Sequence, residues 1–480
     1  MIIVDIAKTE FASLHSPPEC TCKFTVKPFF RPDHAPREEN QKIKADGVFA
    51  AMSSVGQIRF LSLTIRTRIS CSQQLNSSSV QQKDANFLDG ARSKGAESVA
   101  RLQYKRPSHP TLVPLLKLFL SLFPLSIKEL VEDYSVRKNP LKFQHDLLLT
   151  LPFYPKLDPD GRRGEVVQTT LLSGERINEF VIYPKRFHGK KVSPENVDYR
   201  RLNHLIMVHG YGAGLGFYLK NFDVLSADEN WIVHAIDLLG YGCSSRPHFS
   251  AKSLSEVEDF FHNSFAEWLQ IRGLCENPQK NLVFAHSMGA YLMATYGIKR
   301  QPDFCKKLLM ISPGAVIKHR RQVVVPPYFA RLWEQNILPF SLVRKAGPLG
   351  SKLVSMWSSR RFAKLSRKES LLLHKYAYGI FQSPGLGEYM LNFLLAPGAD
   401  ARHPLIERGI DKLKCNLLWC YGKEDWMDKT GGELCSELIN TAADDPSKSL
   451  TCVVENAGHH VYLDNVEKFN SIVQHEMQKF

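Results

Sequence analysis

One short serine motif near the middle of the chain offers the clearest chemistry. Residues 285–289 read Ala-His-Ser-Met-Gly, the G-x-S-x-G nucleophile-elbow pattern with alanine in its first position. The elbow needs small residues beside the serine, because the strand-to-helix turn is sharp and strained. We predict that Ser287 is a nucleophile and that the backbone N–H of Met288 stabilises an oxyanion at the start of the next helix. A purely structural turn serine is the alternative.

A stretch near the C-terminus, GHHVYLD at residues 458–464, offers a general base. His459 and Asp464 have the H-x4-D spacing of many acyltransferases, but the stretch reads equally well as the histidine loop of a hydrolase. We assign His459 as the working histidine and expect His460 to pack nearby or to line the entrance. Asp464 is predicted to begin the final helix as its N-cap, and a direct role in acyl transfer is the alternative.

A carboxylate is needed to fix the tautomer of such a histidine and to stabilise its imidazolium form. Asp425 lies in the loop after a predicted strand that begins near Leu417, and it is our first choice. Glu424 and Asp428 are the alternatives, although both are more typical of solvated loop charges.

A glycine-rich stretch, HGYGAGLGFY at residues 209–218, follows the strand two before the serine motif. Glycines let the backbone approach a substrate closely, and a loop in this position supplies the second oxyanion donor behind a nucleophile elbow. We predict the N–H of Tyr211 as that donor, with Gly212 second. A loop that is merely tight is the alternative, and a P-loop is disfavoured because no Lys-Ser/Thr follows.

These residues need a framework, and an α/β pattern supplies one. From about Glu165, short apolar strands alternate with amphipathic helices. EVVQTTLL and INEFVIYP predict an opening hairpin, and further strands are predicted in LNHLIMVHG, WIVHAIDLLGYG, NLVFAHSMG, KLLMISPGA, CNLLWCYGKED and LTCVVENAGHH. Helices on both faces would complete a mostly parallel eight-stranded sheet, whose strand carboxyl ends gather the reactive loops.

With these motifs in place, the chain resembles the α/β-hydrolase superfamily, whose triad follows the order Ser, Asp or Glu, His. It is most similar to the branch that holds the α/β-hydrolase-domain proteins 4 and 5 and the fungal mitochondrial cardiolipin-specific deacylases. The matching segments are HGYGAGLGFYLKNFDVLS, AIDLLGYGCSSRP, AHSMGAYL, GEYMLNFLLAPGADARHPLIERG, YGKEDWMD and AGHHVYLD.

The resemblance covers about residues 126–480 and implies an α/β-hydrolase fold with a lipid acyl-ester activity. It implies a triad of Ser287, Asp425 and His459. One close relative in that branch lacks the serine and acts as a lipase co-activator, and the presence of Ser287 argues against that role here. Ala285 stands where the family has glycine. This departure bears on how fast the serine reacts, and not on whether the motif is a nucleophile elbow.

Residues 161–480 are predicted to form the hydrolase domain, with a basic helical cap at about 316–410. From Lys318 to Lys368 there are twelve Lys and Arg residues and one acid, Glu334, so this segment carries +11 of the net +14. Basic residues interleaved with Trp and Phe suit an anionic membrane surface. A solvated basic face is the alternative, and nucleic acid is disfavoured because no recognised module accompanies the charge. The predicted lipid contacts are Lys318, Arg320, Arg321, Arg360 and Arg361.

The N-terminal third differs in composition. Residues 1–105 are predicted to be mostly disordered, but residues 52–83 hold arginines and many serines without an acid, as mitochondrial transit peptides do. We hypothesise that translation effectively starts at Met52, or that mitochondrial import tolerates the preceding extension. The alternative is a basic disordered tail that carries no targeting signal. Residues 106–160 are predicted to form amphipathic, membrane-associating helices. Their apolar run, Leu112–Ile127, is shorter than a spanning helix needs and is interrupted, so a docking or core helix and an interfacial helix are the main alternatives, and a true span is the third.

Composition sets the outer limits. The chain has 480 residues, 44% of them hydrophobic and 23% charged, which is ordinary for a globular core. Its positive charge favours anionic partners. The ten cysteines form neither a disulfide framework nor a zinc-site spacing, which indicates a reducing or mixed compartment. No metal or organic cofactor is indicated.

We therefore expect a membrane-associated serine acyl hydrolase that deacylates an anionic phospholipid, with cardiolipin as the substrate that the resemblance implies. The expected location is the mitochondrial inner membrane surface, with a lipid droplet or the endoplasmic reticulum surface as alternatives. A lysophosphatidic acid acyltransferase that uses acyl-CoA and a non-catalytic lipase co-activator are the alternative functions.

Overall fold

An eight-stranded sheet organises the part of the chain that the computed structural model describes, which is residues 122–190, 192–318 and 325–480. The strand order is β1-β2-β4-β3-β5-β6-β7-β8. The strands are β1 (Arg163–Thr170), β2 (Arg176–Tyr183), β3 (Asn203–Val208), β4 (Trp231–Ile236), β5 (Asn281–His286), β6 (Lys307–Ile311), β7 (Asn416–Gly422) and β8 (Ser449–Val454). The β1–β2 and β2–β4 pairs are antiparallel and the other pairs are parallel, so the predicted hairpin and mostly parallel sheet are confirmed.

Helices cover both faces of this sheet, as predicted. In chain order the described helices are α1 (Ile127–Val136), α2 (Pro140–Leu148), α3 (Val197–Arg201), α4 (Leu219–Leu225), α5 (Leu254–Ile271), α6 (Met288–Lys299), α7 (Pro327–Glu334), α8 (Pro339–Lys345), α9 (Gly350–Arg361), α10 (Arg367–Gln382), α11 (Leu391–Leu394), α12 (Thr430–Ala443), α13 (Val461–Asp464) and α14 (Val466–Met477). The predicted transit-like segment and Arg320 and Arg321 lie outside the described residues.

The central strands are buried on both faces, which is why they read as nearly continuous apolar runs. In β5, Val283 and Ala285 point into a core with helices α5, α6 and α12. The alternate residues Leu282 and Phe284 point into a second core with helices α2, α4, α10 and α14. This two-residue alternation holds β5 firmly between two helix layers, so the residue at its carboxyl end has a fixed position.

Helices α7 to α11 lie between β6 and β7, the segment where the cap was predicted. Helix α10 begins at a capping box, in which Ser366 and Glu369 satisfy each other's backbone N–H groups. Helix α2 packs on α10, and α1 is tied to the same layer because Ser351 donates to Asp133 and contacts His374 at 3.0 Å. None of the helices described is long and apolar enough to cross a membrane.

Candidate active site

Ser287 stands at the sharp turn between β5 and α6, in the conformation that a nucleophile elbow requires. Its backbone has φ 53° and ψ −117°, a left-handed region that non-glycine residues rarely occupy. A Cβ at Gly289 would clash with the carbonyl oxygen of His209, so the last small residue of the motif must be glycine. The methyl group of Ala285 is accommodated in the core with no exposed surface, so the departure at the first position does not prevent the turn.

The structure brings the three predicted triad residues together. His459 Nε2 lies 3.0 Å from Ser287 Oγ, and His459 Nδ1 lies 3.1 Å from Asp425 Oδ1. The side chains of His459 and Asp425 are only 6% and 1% exposed. Because a shielded site has a low effective dielectric constant, such hydrogen bonds are stronger there than in water.

Asp425 is ionised and oriented by its surroundings. Burial disfavours the charged carboxyl, but the hydrogen bond to His459 and the electrostatic attraction between the two groups outweigh burial and hold the pKa of Asp425 below its ordinary value. The N–H of Met427 donates to Oδ1 at 3.0 Å. The two alternative acids, Glu424 and Asp428, are exposed, as expected for loop charges.

The predicted oxyanion residues divide between two cavities. Tyr211 and Met288 line the cavity that holds Ser287 and His459. Gly314 lines the same cavity, and a Cβ added to it would lie 3.9 Å from Ser287 Oγ and 4.0 Å from Met288 N, so its lack of a side chain leaves the space in front of both atoms open. Gly212 instead lines a neighbouring cleft with φ 61°, and a Cβ there would lie 2.6 Å from the Phe340 ring.

A buried carboxylate that we did not predict holds the glycine-rich loop in place. Asp237 Oδ1 accepts the N–H of Leu215 at 2.7 Å, and Oδ2 accepts the N–H of Cys243 and the side-chain amide of Asn178 at the same distance. Gly242 has φ 50° and a Cβ there would overlap Asp237. The signal in the sequence was an acid at the end of a buried strand, followed by a glycine-rich turn.

His286 is a second positioning residue that sequence analysis did not single out. Its Nε2 lies 2.9 Å from the carbonyl oxygen of His459, so it holds the backbone of the histidine loop against the elbow. Burial lowers the pKa of His286 well below its ordinary value, which makes Nε2–H the donor of a neutral imidazole. His460 is buried with its ring 5.0 Å from that of His286, so it packs, one of the two alternatives predicted for it.

The cavity over Ser287 is apolar, with an empty volume of about 620 Å³ including its mouth. The cap contributes Trp333 from α7, and Trp426 and Met427 come from the loop of Asp425. The Trp333 indole is oriented by donating to the carbonyl oxygen of Leu395 at 3.1 Å. The remaining apolar lining residues are Met288, Ala315, Leu391, Leu394, Leu395 and Ala399. This lining suits a hydrocarbon chain attached to an ester, because it offers burial to apolar surface.

The prediction that Asp464 caps the final helix is wrong. The N-cap of α14 is Asn465, whose side chain accepts the N–H of Lys468. Asp464 ends the preceding short helix α13, where its Oδ2 accepts the N–H of Gly458 at 3.0 Å. Asp and Asn are equally good caps, so local sequence did not separate these neighbours.

The predicted lipid-contacting cations do not behave alike. Lys318 and Arg360 are exposed, as a lipid contact requires. Arg361 is not a surface cation, contrary to the prediction, because its guanidinium pairs with Asp464 at 2.7 Å and is only 17% exposed. The basic run around Arg361 gave no sign that Asp464, which is distant in the sequence, would pair with it.

Comparison with known proteins agrees with this geometry. The sequence model of the alpha/beta hydrolase fold family matches residues 203–466, which include β3 to β8 and the three hydrogen-bonded side chains.

Curated relatives carry the names of lipid enzymes. A rice protein named "Probable 1-acylglycerol-3-phosphate O-acyltransferase" is 33% identical over 292 residues, 58% of this chain and 67% of that protein. A human "(Lyso)-N-acylphosphatidylethanolamine lipase" is 30% identical over 296 residues, 59% of this chain and 80% of that protein. The rat "1-acylglycerol-3-phosphate O-acyltransferase ABHD5" is 29% identical over 284 residues, 56% and 76% of the two chains. The chain belongs to the α/β-hydrolase family, in the branch of the α/β-hydrolase-domain proteins 4 and 5.

Proposed function

We propose that this protein is a serine hydrolase that removes a fatty acyl chain from a glycerophospholipid. The observation that carries the proposal is the hydrogen-bonded series Ser287, His459, Asp425, which opens into an apolar cavity. The names of the curated relatives support a lipid substrate, because each refers to an acylated glycerophosphate or phosphatidylethanolamine derivative.

The geometry supports an acyl-enzyme route. Ser287 Oγ attacks the ester carbonyl while its proton passes to His459 Nε2, and Asp425 stabilises the imidazolium through Nδ1–H. The backbone N–H groups of Met288 and Tyr211 stabilise the tetrahedral oxyanion. When the bond to the leaving alkoxide breaks, the lysolipid oxygen takes the proton from His459. Water then attacks the acyl-serine, again with His459 as base, and releases the fatty acid.

Acyl transfer is the second candidate function. A lipid hydroxyl in place of water would resolve the same acyl-enzyme, and acyl-CoA would be the donor. The names of the rice and rat relatives support this alternative. A non-catalytic co-activator is disfavoured, because Ser287 is present and within hydrogen-bond distance of His459.

We further propose an anionic lipid surface as the place of reaction and cardiolipin as the preferred substrate. Exposed cations, among them Arg331, Lys345 and Arg360, lie on the same cap helices as exposed apolar side chains. Leu342 and Met356 are 60% and 44% exposed. Cations attract acidic headgroups, each with about 1 kcal/mol, and the apolar groups favour insertion at the acyl boundary.

The proposed location is the mitochondrial inner membrane surface, supported by the transit-like composition of residues 52–83. Sequencing the N-terminus of the native protein together with organelle fractionation tests this proposal. A mature N-terminus inside the first 50 residues, or recovery with lipid droplets or endoplasmic reticulum, would contradict it.

The purified protein should release free fatty acid from defined phospholipid vesicles, fastest from those that contain cardiolipin. Ser287→Ala should reduce this release by at least about 10³-fold with an unchanged thermal midpoint, because the nucleophile is lost while the packing is kept. Mass spectrometry of the lipids before and after incubation measures both the substrate and the product.

The same assay separates the alternatives. Consumption of acyl-CoA and lysophosphatidic acid without release of fatty acid would replace hydrolysis by acyl transfer. Equal rates on neutral and anionic phospholipids would remove the headgroup proposal. Full activity of Ser287→Ala would exclude an acyl-enzyme on this serine, and absence of both hydrolysis and transfer in the wild type would favour the co-activator.

A further inference from the structure

We propose that Asp464 is a positioning residue that fastens the His459 loop to the cap, rather than a residue that directs acyl transfer. The proposal rests on the proposed function in one respect, namely that His459 is the general base. It assigns a role to the second half of the H-x4-D motif and names the partner through which that role is exerted.

The loop side of the attachment explains the spacing of the motif. Asp464 closes the single turn of helix α13, where its N–H donates to the carbonyl oxygen of His460 at 2.9 Å. That turn brings its carboxylate back to Gly458, whose N–H it accepts at 3.0 Å. Gly458 immediately precedes His459. An aspartate five positions after the histidine is therefore placed to lock the backbone beside it.

The cap side is made by two cations near the end of helix α9. Arg361, the last residue of α9, pairs with Asp464 Oδ1 at 2.7 Å. Lys364 Nζ donates to the main-chain carbonyl of Asp464 at 3.0 Å and to that of Asn456 at 3.2 Å. The histidine loop is thus held on both sides of His459 by one short segment of the cap.

The Arg361–Asp464 pair is largely shielded, which makes it costly to break. Its side chains are 17% and 14% exposed. Loss of one partner from a shielded pair leaves an uncompensated charge, so the loss is felt more than that of an exposed pair. Both carboxylate oxygens of Asp464 are engaged with protein groups, and the nitrogen of His459 that faces an acid is engaged by Asp425.

Three variants separate the two contacts. Asp464→Asn keeps an oxygen for the N–H of Gly458 but removes the charge, Asp464→Ala removes both contacts, and Arg361→Gln removes only the cation. Misplacement of a catalytic group by about 1 Å costs about 100-fold in rate, so we expect kcat of Asp464→Ala to fall toward that factor with little change in KM. Asp464→Asn and Arg361→Gln should each lose less. The double variant Asp464→Asn/Arg361→Gln should be no slower than the slower of its two single variants, because each substitution removes the same ion pair.

The test uses the full chain with a soluble short-chain aryl ester, alongside transfer of the acyl group to lysophosphatidic acid. A positioning role lowers hydrolysis and transfer by the same factor, because both need His459. The matched control is Arg300→Gln, which removes an exposed ion pair with Asp259 (2.6 Å; 43% and 46% exposed) and should leave both rates unchanged.

Hydrogen exchange of residues 456–465 gives a readout that does not depend on activity. The amide of Gly458 should exchange faster in Asp464→Ala, and the whole loop faster in Arg361→Gln. Loss of transfer alone in Asp464→Asn would overturn the proposal, and so would strictly additive effects with unchanged exchange. If the wild-type protein hydrolysed no ester, the proposed function would fail while the exchange data still decided whether the attachment exists.

Discussion

Ser287 shows how a single backbone conformation decides which neighbours are allowed. The positive φ of the serine draws the start of helix α6 close to His209, the residue that follows β3. Gly289 is where this approach is tightest, because a side chain there would meet a main-chain carbonyl. Ala285 lies on the other side of the turn, inside β5, where a methyl group fits.

Gly289 and Ala285, the two small residues of the elbow, should therefore respond very differently to substitution. Gly289→Ala should cost about 1–3 kcal/mol through overpacking and about 100-fold in kcat, because the serine must move. Ala285→Gly, which restores the usual pattern, should cost only about 0.5–1 kcal/mol in strand stability and leave kcat within a few-fold.

Thermal unfolding and ester hydrolysis, measured on the same preparations, test this difference. A Gly289→Ala variant as active as the wild type would show that the turn has more room than the geometry allows. A large rise in kcat for Ala285→Gly would show instead that the alanine limits the rate.

At the scale of elements, the cap helices provide both a wall of the cavity and a surface toward solvent. Helix α7 illustrates this division. Trp333 is 9% exposed and lines the cavity over Ser287, whereas Tyr328 on the same helix is 69% exposed. One helix therefore carries a residue that shapes the bound acyl chain and another that is free to meet a lipid surface.

Trp333→Phe should shift the substrate preference toward longer acyl chains, because the smaller ring and the lost indole N–H leave space in the cavity. Each additional methylene buried there would contribute about 0.8 kcal/mol. The ratio of kcat/KM for a long-chain and a short-chain ester measures the shift.

Tyr328→Ala is the matched control on the same helix. It should leave this ratio unchanged in solution, while reducing binding to anionic vesicles. An unchanged chain-length ratio in Trp333→Phe would mean that the acyl chain does not reach α7.

At the scale of the whole molecule, many histidines are buried in the two cores or between the sheet and its helices. Burial lowers the pKa values of seven of the described histidines, to about 4 for His262 and about 3 for His374. The other histidines with lowered pKa values are His204, His209, His234, His286 and His460. Each of these groups therefore binds a proton less readily in the folded chain than in the unfolded chain.

This asymmetry predicts that stability is lost on mild acidification. Below the ordinary histidine pKa of about 6.5 the unfolded chain binds more protons than the folded one, so the free energy of unfolding falls as pH falls. Each such histidine contributes up to about 1.4 kcal/mol per pH unit. Thermal midpoints measured between about pH 7.5 and about pH 5 should fall steadily.

His374→Gln should make the fall of the free energy of unfolding with pH shallower, by the equivalent of up to one bound proton. His475→Gln, at an exposed position, should leave this dependence on pH unchanged. A thermal midpoint that is constant down to about pH 5 would show that the buried histidines are protonated in the folded protein.

The sequence alone determined the order and type of the main elements and the composition of the site. Apolar strands, glycine-rich turns and the serine motif are local signals that do not depend on distant partners, so the sheet, the elbow and the three side chains that meet at Ser287 were predicted correctly in position. The acid was narrowed to three neighbours that all follow the buried strand β7, with Asp425 as first choice, and the structure shields only that one.

Tertiary structure alone decided which groups Asp464 contacts. Its sequence context predicted a helix cap, and the basic run around Arg361 predicted a lipid contact. The two residues are 103 positions apart and meet only because the cap folds over the carboxyl edge of the sheet. Pairing between distant charges depends on which elements pack together and on how far they exclude water. The residues next to each charge in the sequence determine neither property.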